Sequence, residues 1–253
     1  MNLENAKKEF ELFVKQYDLE NQKIKRKYGH SYRVMENAGK IAKSLKLKNE
    51  EIELSKLIGL LHDIGRFEQE RIYKTFKDHK SIDHGDLGVE ILIKENYIRK
   101  YIQEDKYDNI ILKAIKNHNK LYIEDGLTEQ ELLFSKIIRD ADKLDIFYEG
   151  VEMFWVTNEE IEEVNNSKVS EKILEAFRKN ILIDRKDVTT KADGILNFIG
   201  FMFDINFKYD FEVLKKENYI NKILDKFEFI DEVTSNQMKN ARKIANEYIE
   251  KQL

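Results

Sequence analysis

Four of the chain's five histidines fall into one ordered series with acidic partners: His30, the adjacent pair His62-Asp63, His84, His118 and then Asp142. Imidazole nitrogen and carboxylate oxygen are the ligands that divalent first-row metals accept when no thiolate is offered. The chain contains no cysteine, which excludes disulfides, thiolate-bound zinc and iron–sulfur clusters, so any metal must be held by nitrogen and oxygen. His62-Asp63 is the centre of the series. Neighbouring residues on a regular helix point ~100° apart, so both reach one ion only where the helix loosens, and Gly65 is read as supplying that end. The two oxygens of a single aspartate can bridge two ions.

The other candidates depend on helices that turn them inward. His30 lies four residues before Val34 on a stripe continued by Ala38, Ile41 and Leu45, His84 shares a face with Leu87, Gly88 and Ile91, and His118 shares one with Ile111, Ala114 and Ile115. Burying so many polar groups without partners costs ~1–3 kcal/mol each, and a shared metal satisfies them together. Apolar residues recur at three- and four-residue spacing throughout, as in Phe10, Phe13, Val14 and Tyr17, and there is no proline, so the fold class is all-α. Turn signals are sparse: Asn49-Glu50, Gly65, Gly85, Asp125-Gly126, Gly150 and Asn165-Asn166. A soft boundary near Gly150 separates residues 1–150, a helical core carrying every candidate ligand, from residues 151–253, a histidine-free helical extension packed on that core or part of the same domain. The extension includes Trp155, helices over Ile173 to Ile183 and Gly194 to Phe207, and a final helix carrying Ala241, Ile244, Ala245 and Tyr248.

Composition narrows the function. With 253 residues and 42% apolar side chains the chain can bury a sizeable core. The net charge of −4 offers no footprint for double-stranded nucleic acid. The first residues lack a cationic stretch followed by an apolar run, and the Gly194 to Phe207 stretch is short of the ~20 residues that span a bilayer, so no membrane partner is expected. The absence of cysteine fits a reducing, cytoplasmic setting.

Gly29-His30-Ser31-Tyr32-Arg33-Val34, Leu60-Leu61-His62-Asp63-Ile64-Gly65-Arg66, Asp83-His84-Gly85, Asn117-His118-Asn119 and Ala141-Asp142-Lys143-Leu144-Asp145, in this order, resemble the HD-domain metal-dependent phosphohydrolase superfamily over roughly residues 28–148. The resemblance implies an all-α fold with a metal held by His30, His62, Asp63 and Asp142. It also implies a second ion, because His84 and His118 occupy the places where the two-metal branch adds ligands, with Asp63 as the bridge. Asp140 and Asp145 lie close to Asp142, but only the Ala141-Asp142 step matches the family pattern. Asp145 then orients a ligand, binds the N-terminus of a neighbouring helix, or is a solvated carboxylate.

Arg66 follows the His-Asp pair where many family members carry lysine, and its guanidinium could clamp a phosphate or be structural, pairing with Glu68, Glu70 or a helix C-terminus. Lys143 could touch phosphate or face solvent. The charged stretch Thr75 to Lys80 could be a substrate lid or a solvated loop with His79 on its surface. Two divalent ions ~3.5–4 Å apart can activate a water and neutralise charge on both oxygens of a phosphoryl transfer. The expected function is therefore hydrolysis of a phosphoester on a nucleotide or small phosphorylated metabolite, with Asp63 and Arg66 in the catalytic roles. The two ions are expected to be iron or manganese, with magnesium, cobalt, nickel or zinc also compatible. The alternatives are an HD-type di-iron oxygenase and a nucleotide-sensing module.

Overall fold

The computed structural model describes residues 1–152 and 157–253; Trp155 lies outside them. All regular structure among the described residues is helical. The chain divides into two compact units, Met1–Asp145 and Ile146–Leu253.

The first unit is built around α3 (Asn49–Leu61), whose Leu54, Leu57, Leu60 and Leu61 are all fully buried. A helix apolar on nearly all sides has to sit at the centre of its neighbours. α2 (Gln22–Ser44) packs along it, burying Ile24, His30, Val34, Ala38 and Ile41 at helical spacing. The two backbones approach so closely that a Cβ on Gly59 would lie 2.8 Å from Met35 Cα. α1 (Leu3–Val14), capped by the Asn2 side chain, lies on α3 and closes one side with an aromatic cluster in which Phe10 meets Phe67 edge-on at 5.8 Å.

α4 (Ile64–Tyr73) follows α3 after one interruption and ends where Lys74 turns left-handed, at φ 56°. α5 (His84–Ile93) begins under an Asp83 cap and packs between α4 and α6 (Asp108–Asn117). α7 (Glu129–Glu152) is fastened to the end of α6 by Arg139, whose Nη1 donates to the Asn117 and Lys120 carbonyls.

Several expected turns are helical. Asn49-Glu50 opens α3, Gly85 lies in the first turn of α5, and Gly150 lies within α7. Gly150 is small for packing reasons: a Cβ there would stand 2.7 Å from the Phe198 ring. Gly126, at φ +79°, is a turn residue as expected.

The second unit contains α8 (Asn158–Asn165), α9 (Glu171–Arg178), α10 (Lys191–Ile199), α11 (Lys208–Glu217), α12 (Tyr219–Leu224) and α13 (Glu232–Gln252). The expected Ile173 to Ile183 helix stops at Arg178, because Asn180 turns left-handed at φ 55°. The Gly194 to Phe207 stretch is likewise not one helix: α10 ends at Ile199 and tightens into a 3-10 turn over Gly200–Asp204. α13 carries Ala241, Ile244, Ala245 and Tyr248 as predicted.

Candidate metal centre

The interruption between α3 and α4 falls on the His62-Asp63 pair. His62 keeps helical angles as the C-cap of α3, whereas Asp63 moves to φ −101°, ψ 17°. This break swings both side chains to one side, so that His62 Nε2 and Asp63 Oδ2 lie 3.4 Å apart. Gly65 does not end the helix; it sits inside α4. A Cβ there would be 2.2 Å from the His84 carbonyl and 2.7 Å from Gly88 N, so its role is to let α4 and α5 touch backbone to backbone.

The remaining side chains converge on this junction from the middle of α2 (His30), the first residue of α5 (His84), the residue just past α6 (His118) and α7 (Asp142). His30, His62, Asp63, His84 and His118 are buried, and Asp142 is partly exposed. They form two halves around Asp63. Oδ2 lies 3.4 Å from both His30 Nε2 and His62 Nε2. Oδ1 lies 3.3 Å from His84 Nε2 and 3.6 Å from His118 Nε2. Asp142 Oδ1 joins the first half, 3.1 Å from His30 Nε2 and 3.7 Å from His62 Nε2.

Hydrogen bonding at the far side of each ring fixes what faces inward. His62 Nδ1 donates to the Gly59 carbonyl at 2.8 Å and His118 Nδ1 to the Ile115 carbonyl at 2.6 Å. A carbonyl can only accept, so in the neutral rings both Nε2 atoms carry lone pairs. His30 Nδ1 and His84 Nδ1 are paired with carboxylates instead, Asp145 at 2.6 Å and Asp78 at 2.7 Å. The Nε2 atoms then face each other in pairs, 3.2 Å apart for His30 and His62 and 3.0 Å apart for His84 and His118. Facing lone pairs at that distance require a cation or a proton between them. The donor set therefore fits divalent ions, which these buried groups could hold, and each nitrogen is already oriented by a partner behind it.

The electrostatics point the same way. Burial opposes ionisation of Asp63, yet the Lys27 ammonium and His62 outweigh it and hold the carboxyl well below its ordinary value. Burial likewise disfavours charge on Asp142, and hydrogen bonds from His30 and His62 overcome it. His30 is pushed down by burial and by Lys27, but Asp142, Asp145 and Asp63 together raise it to about 10. His84 has weaker carboxylate support: burial and then Arg66 lower it to about 4, so it stays neutral. The carboxylate-rich half thus attracts positive charge strongly, and a metal bound there would displace protons.

Asp145 is a buried orienting group rather than a solvated carboxylate: Arg33 Nε donates to its Oδ1 at 2.6 Å while its Oδ2 holds His30. Lys143 does not face solvent, because its Nζ is folded back onto the Arg139 carbonyl at 3.3 Å. Arg66 is not paired with Glu68 or Glu70, which go to Arg71 and Lys23. Its Nη1 donates to Asp78 Oδ1, Gln69 Oε1 and the Phe76 carbonyl, and its Nε, 3.7 Å from Asp63 Oδ1, has no hydrogen-bond partner. The Thr75 to Lys80 stretch contains a 3-10 turn (Asp78–Lys80) whose Asp78 points into the site while His79 is exposed.

Sequence reasoning missed two neighbours. Lys27 places Nζ 2.5 Å from Asp63 Oδ2; the signal was its place one turn before His30 on the same helix. Asp78 was visible only as one charge in a charged stretch.

This is a buried His/Asp cluster on an all-α scaffold. The family model of the HD domain matches residues 28–146, just under half of the chain, and that part of the chain is an HD domain. The superfamily to which that family model belongs is composed mostly of metal-dependent hydrolases. Comparison with the curated proteins and with solved structures gave no match. No helix among the described residues is long and apolar enough to cross a membrane.

Proposed function

We propose that the chain is a two-metal phosphohydrolase or phosphodiesterase acting on a nucleotide or similarly small phosphorylated metabolite. The observation that carries this reading is the division of the cluster into two imidazole pairs that share Asp63, one pair on each carboxylate oxygen. His30, His62, Asp142 and Asp63 Oδ2 would hold one ion, and His84, His118 and Asp63 Oδ1 the other. Divalent ions bound in this way supply Lewis acidity, lowering the pKa of water toward neutrality and offsetting charge on a transferring phosphoryl group. All-nitrogen-and-oxygen coordination suits iron or manganese.

The chain's own groups do the positioning. Asp63 keeps the two halves in fixed relation, because both of its oxygens are committed to imidazoles. Asp145 and Asp78 lock the outer nitrogens of His30 and His84, so that neither ring turns as charge changes at the centre. Arg66 supplies a permanent cation at the edge of the cluster: Nη1 is committed to the Asp78 region, which leaves Nε directed at the Asp63 side for an anionic substrate oxygen. Lys27 adds a second positive charge opposite, on the other oxygen of Asp63.

The test is phosphate release from a panel of nucleotides and sugar phosphates with protein loaded with Mn²⁺ or, anaerobically, Fe²⁺. Turnover that depends on added metal supports the reading. Substrate-dependent oxygen uptake without phosphate release would move the protein to the di-iron oxygenases, and tight nucleotide binding without turnover would make it a sensor.

A further inference from the structure

The two halves of the centre are built on the same plan but on different material. In each, one histidine is oriented by a backbone carbonyl three residues earlier in the chain, Gly59 for His62 and Ile115 for His118. The other is oriented by a carboxylate that an arginine holds: Arg33–Asp145–His30 in the first half, Arg66–Asp78–His84 in the second. The first relay runs between α2 and α7, and Asp145 is buried within it. The second runs through a single 3-10 turn, and the Asp78 side chain is 32% exposed.

We infer that Asp78 is the positioning residue of the second ion and that binding of this ion is coupled to the order of the 74–83 segment. This rests on the two-ion reading above. Asp78 Oδ2 accepts from His84 Nδ1 at 2.7 Å, which commits Nε2 to face Asp63 and His118. The neighbouring amide of Asn119 cannot take over: its Nδ2 donates to Asp83 at 3.0 Å and so presents another donor to His84 Nδ1. Asp78 Oδ1 meanwhile accepts from Arg66 Nη1 and Gln69 Nε2, both at 2.8 Å. The same Gln69 nitrogen reaches Ser81 Oγ and the Ile82 carbonyl, and Arg66 holds the Phe76 carbonyl. One carboxylate thus connects the ring that would hold the ion to the hydrogen bonds that pin the segment to α4. An ion that fixes the His84 ring favours the arrangement in which Asp78 is docked, and by reciprocity the docked segment favours the ion. The first half has no such link, since Asp145 is held from helix to helix.

The experiment is calorimetric titration of metal-stripped protein with Mn²⁺, elemental analysis after gel filtration, and tryptic mapping of the segment, which offers exposed Lys74, Lys77 and Lys80. Wild-type protein should take up two ions, with Mn²⁺ slowing cleavage after Lys77 and Lys80. Asp78→Ala should keep the first ion at wild-type affinity, bind the second ~10–100-fold more weakly, and lose the protection by Mn²⁺. Asp78→Asn should regain part of the second-ion affinity, because its amide oxygen can still accept from His84, but not the protection, because its NH₂ meets the Arg66 and Gln69 donors. An Asp78→Ala protein that binds both ions as the wild type does would overturn the inference. So would one that loses both, which would make Asp78 a general structural residue. Uptake of a single ion by wild-type protein would instead bring down the two-ion reading, and the inference with it.

Discussion

Asp63 faces all four imidazoles of the cluster, so its loss removes the one group common to both halves. Asp63→Ala should retain little metal by elemental analysis and show no metal-dependent turnover. It should also leave Lys27 partly buried beside histidines with no counter-charge on that side. Arg66 tests a different function. A charge-assisted contact is worth ~1.5–3 kcal/mol, so Arg66→Ala should lower kcat/KM for a phosphoester by one to two orders of magnitude while the first ion stays bound. Arg66→Lys should recover part of the loss, as a point charge without the planar fork. Steady-state kinetics beside metal analysis reads both, and an unchanged kcat/KM in the alanine variant would leave Arg66 with only its structural bonds. The histidines and their inward orientation were legible because helical spacing from apolar neighbours fixes which way a side chain points. Asp78 was not, because a carboxylate in a charged neighbourhood carries no mark of the tertiary partner that buries it, and Lys27 was marked only by its place one turn before His30.

At the scale of elements, the α4–α5 contact is set by Gly65. Gly65→Ala would drive a methyl group into the His84 carbonyl and Gly88 N, both of which are backbone and cannot rotate away. The cost should be ~1–3 kcal/mol or more, as for overpacked cores, read as a fall in urea midpoint. The same shift displaces His84, so weakened metal uptake should accompany it. In the second unit the start of α10 depends on Asp193, a buried carboxylate that accepts from Ser170 N, Thr189 N and Thr190 N as well as two hydroxyls. Burial raises its pKa, but these donors outweigh burial and the net shift is downward. A lowered carboxyl stabilises the fold above its unfolded pKa of ~3.9 and loses that contribution as pH falls through the folded value. Asp193→Asn should therefore cost ~1–3 kcal/mol near pH 7, with the difference from wild type shrinking below pH ~4, measured by denaturant titration across pH. Helix existence was legible from the apolar period. Helix ends were less so: α9 stops before Asn180, which turns left-handed, and α10 tightens into a 3-10 turn at Gly200 without leaving helical angles, whereas Gly85 and Gly150 look like turn residues and serve close packing.

At the scale of the whole molecule, the candidate ligands come from most of the helices of the first unit. Ions that bind the folded chain and not the unfolded one stabilise it by mass action, ~2.7 kcal/mol per ion at a hundredfold excess over Kd. Treatment with a chelator should lower the thermal midpoint, and readdition of Mn²⁺ should restore it; calorimetric scans that superimpose with and without chelator would argue against a folded-state site. The structure separates at Asp145, in the continuous α7, where no glycine or loop marks the place.

A chain with no cysteine cannot staple itself covalently, yet His30 and Asp142 stand 3.1 Å apart across most of the first unit's length. An ion shared by them would close a loop of roughly 100 residues, a span for which a covalent cross-link would remove ~4.7 kcal/mol of chain entropy from the unfolded state. Such a staple would not depend on the thiol oxidation that makes or breaks disulfides. It would answer instead to how much free metal the surroundings hold, so depleting the ion would empty the centre and lengthen the leash on the unfolded chain in one event.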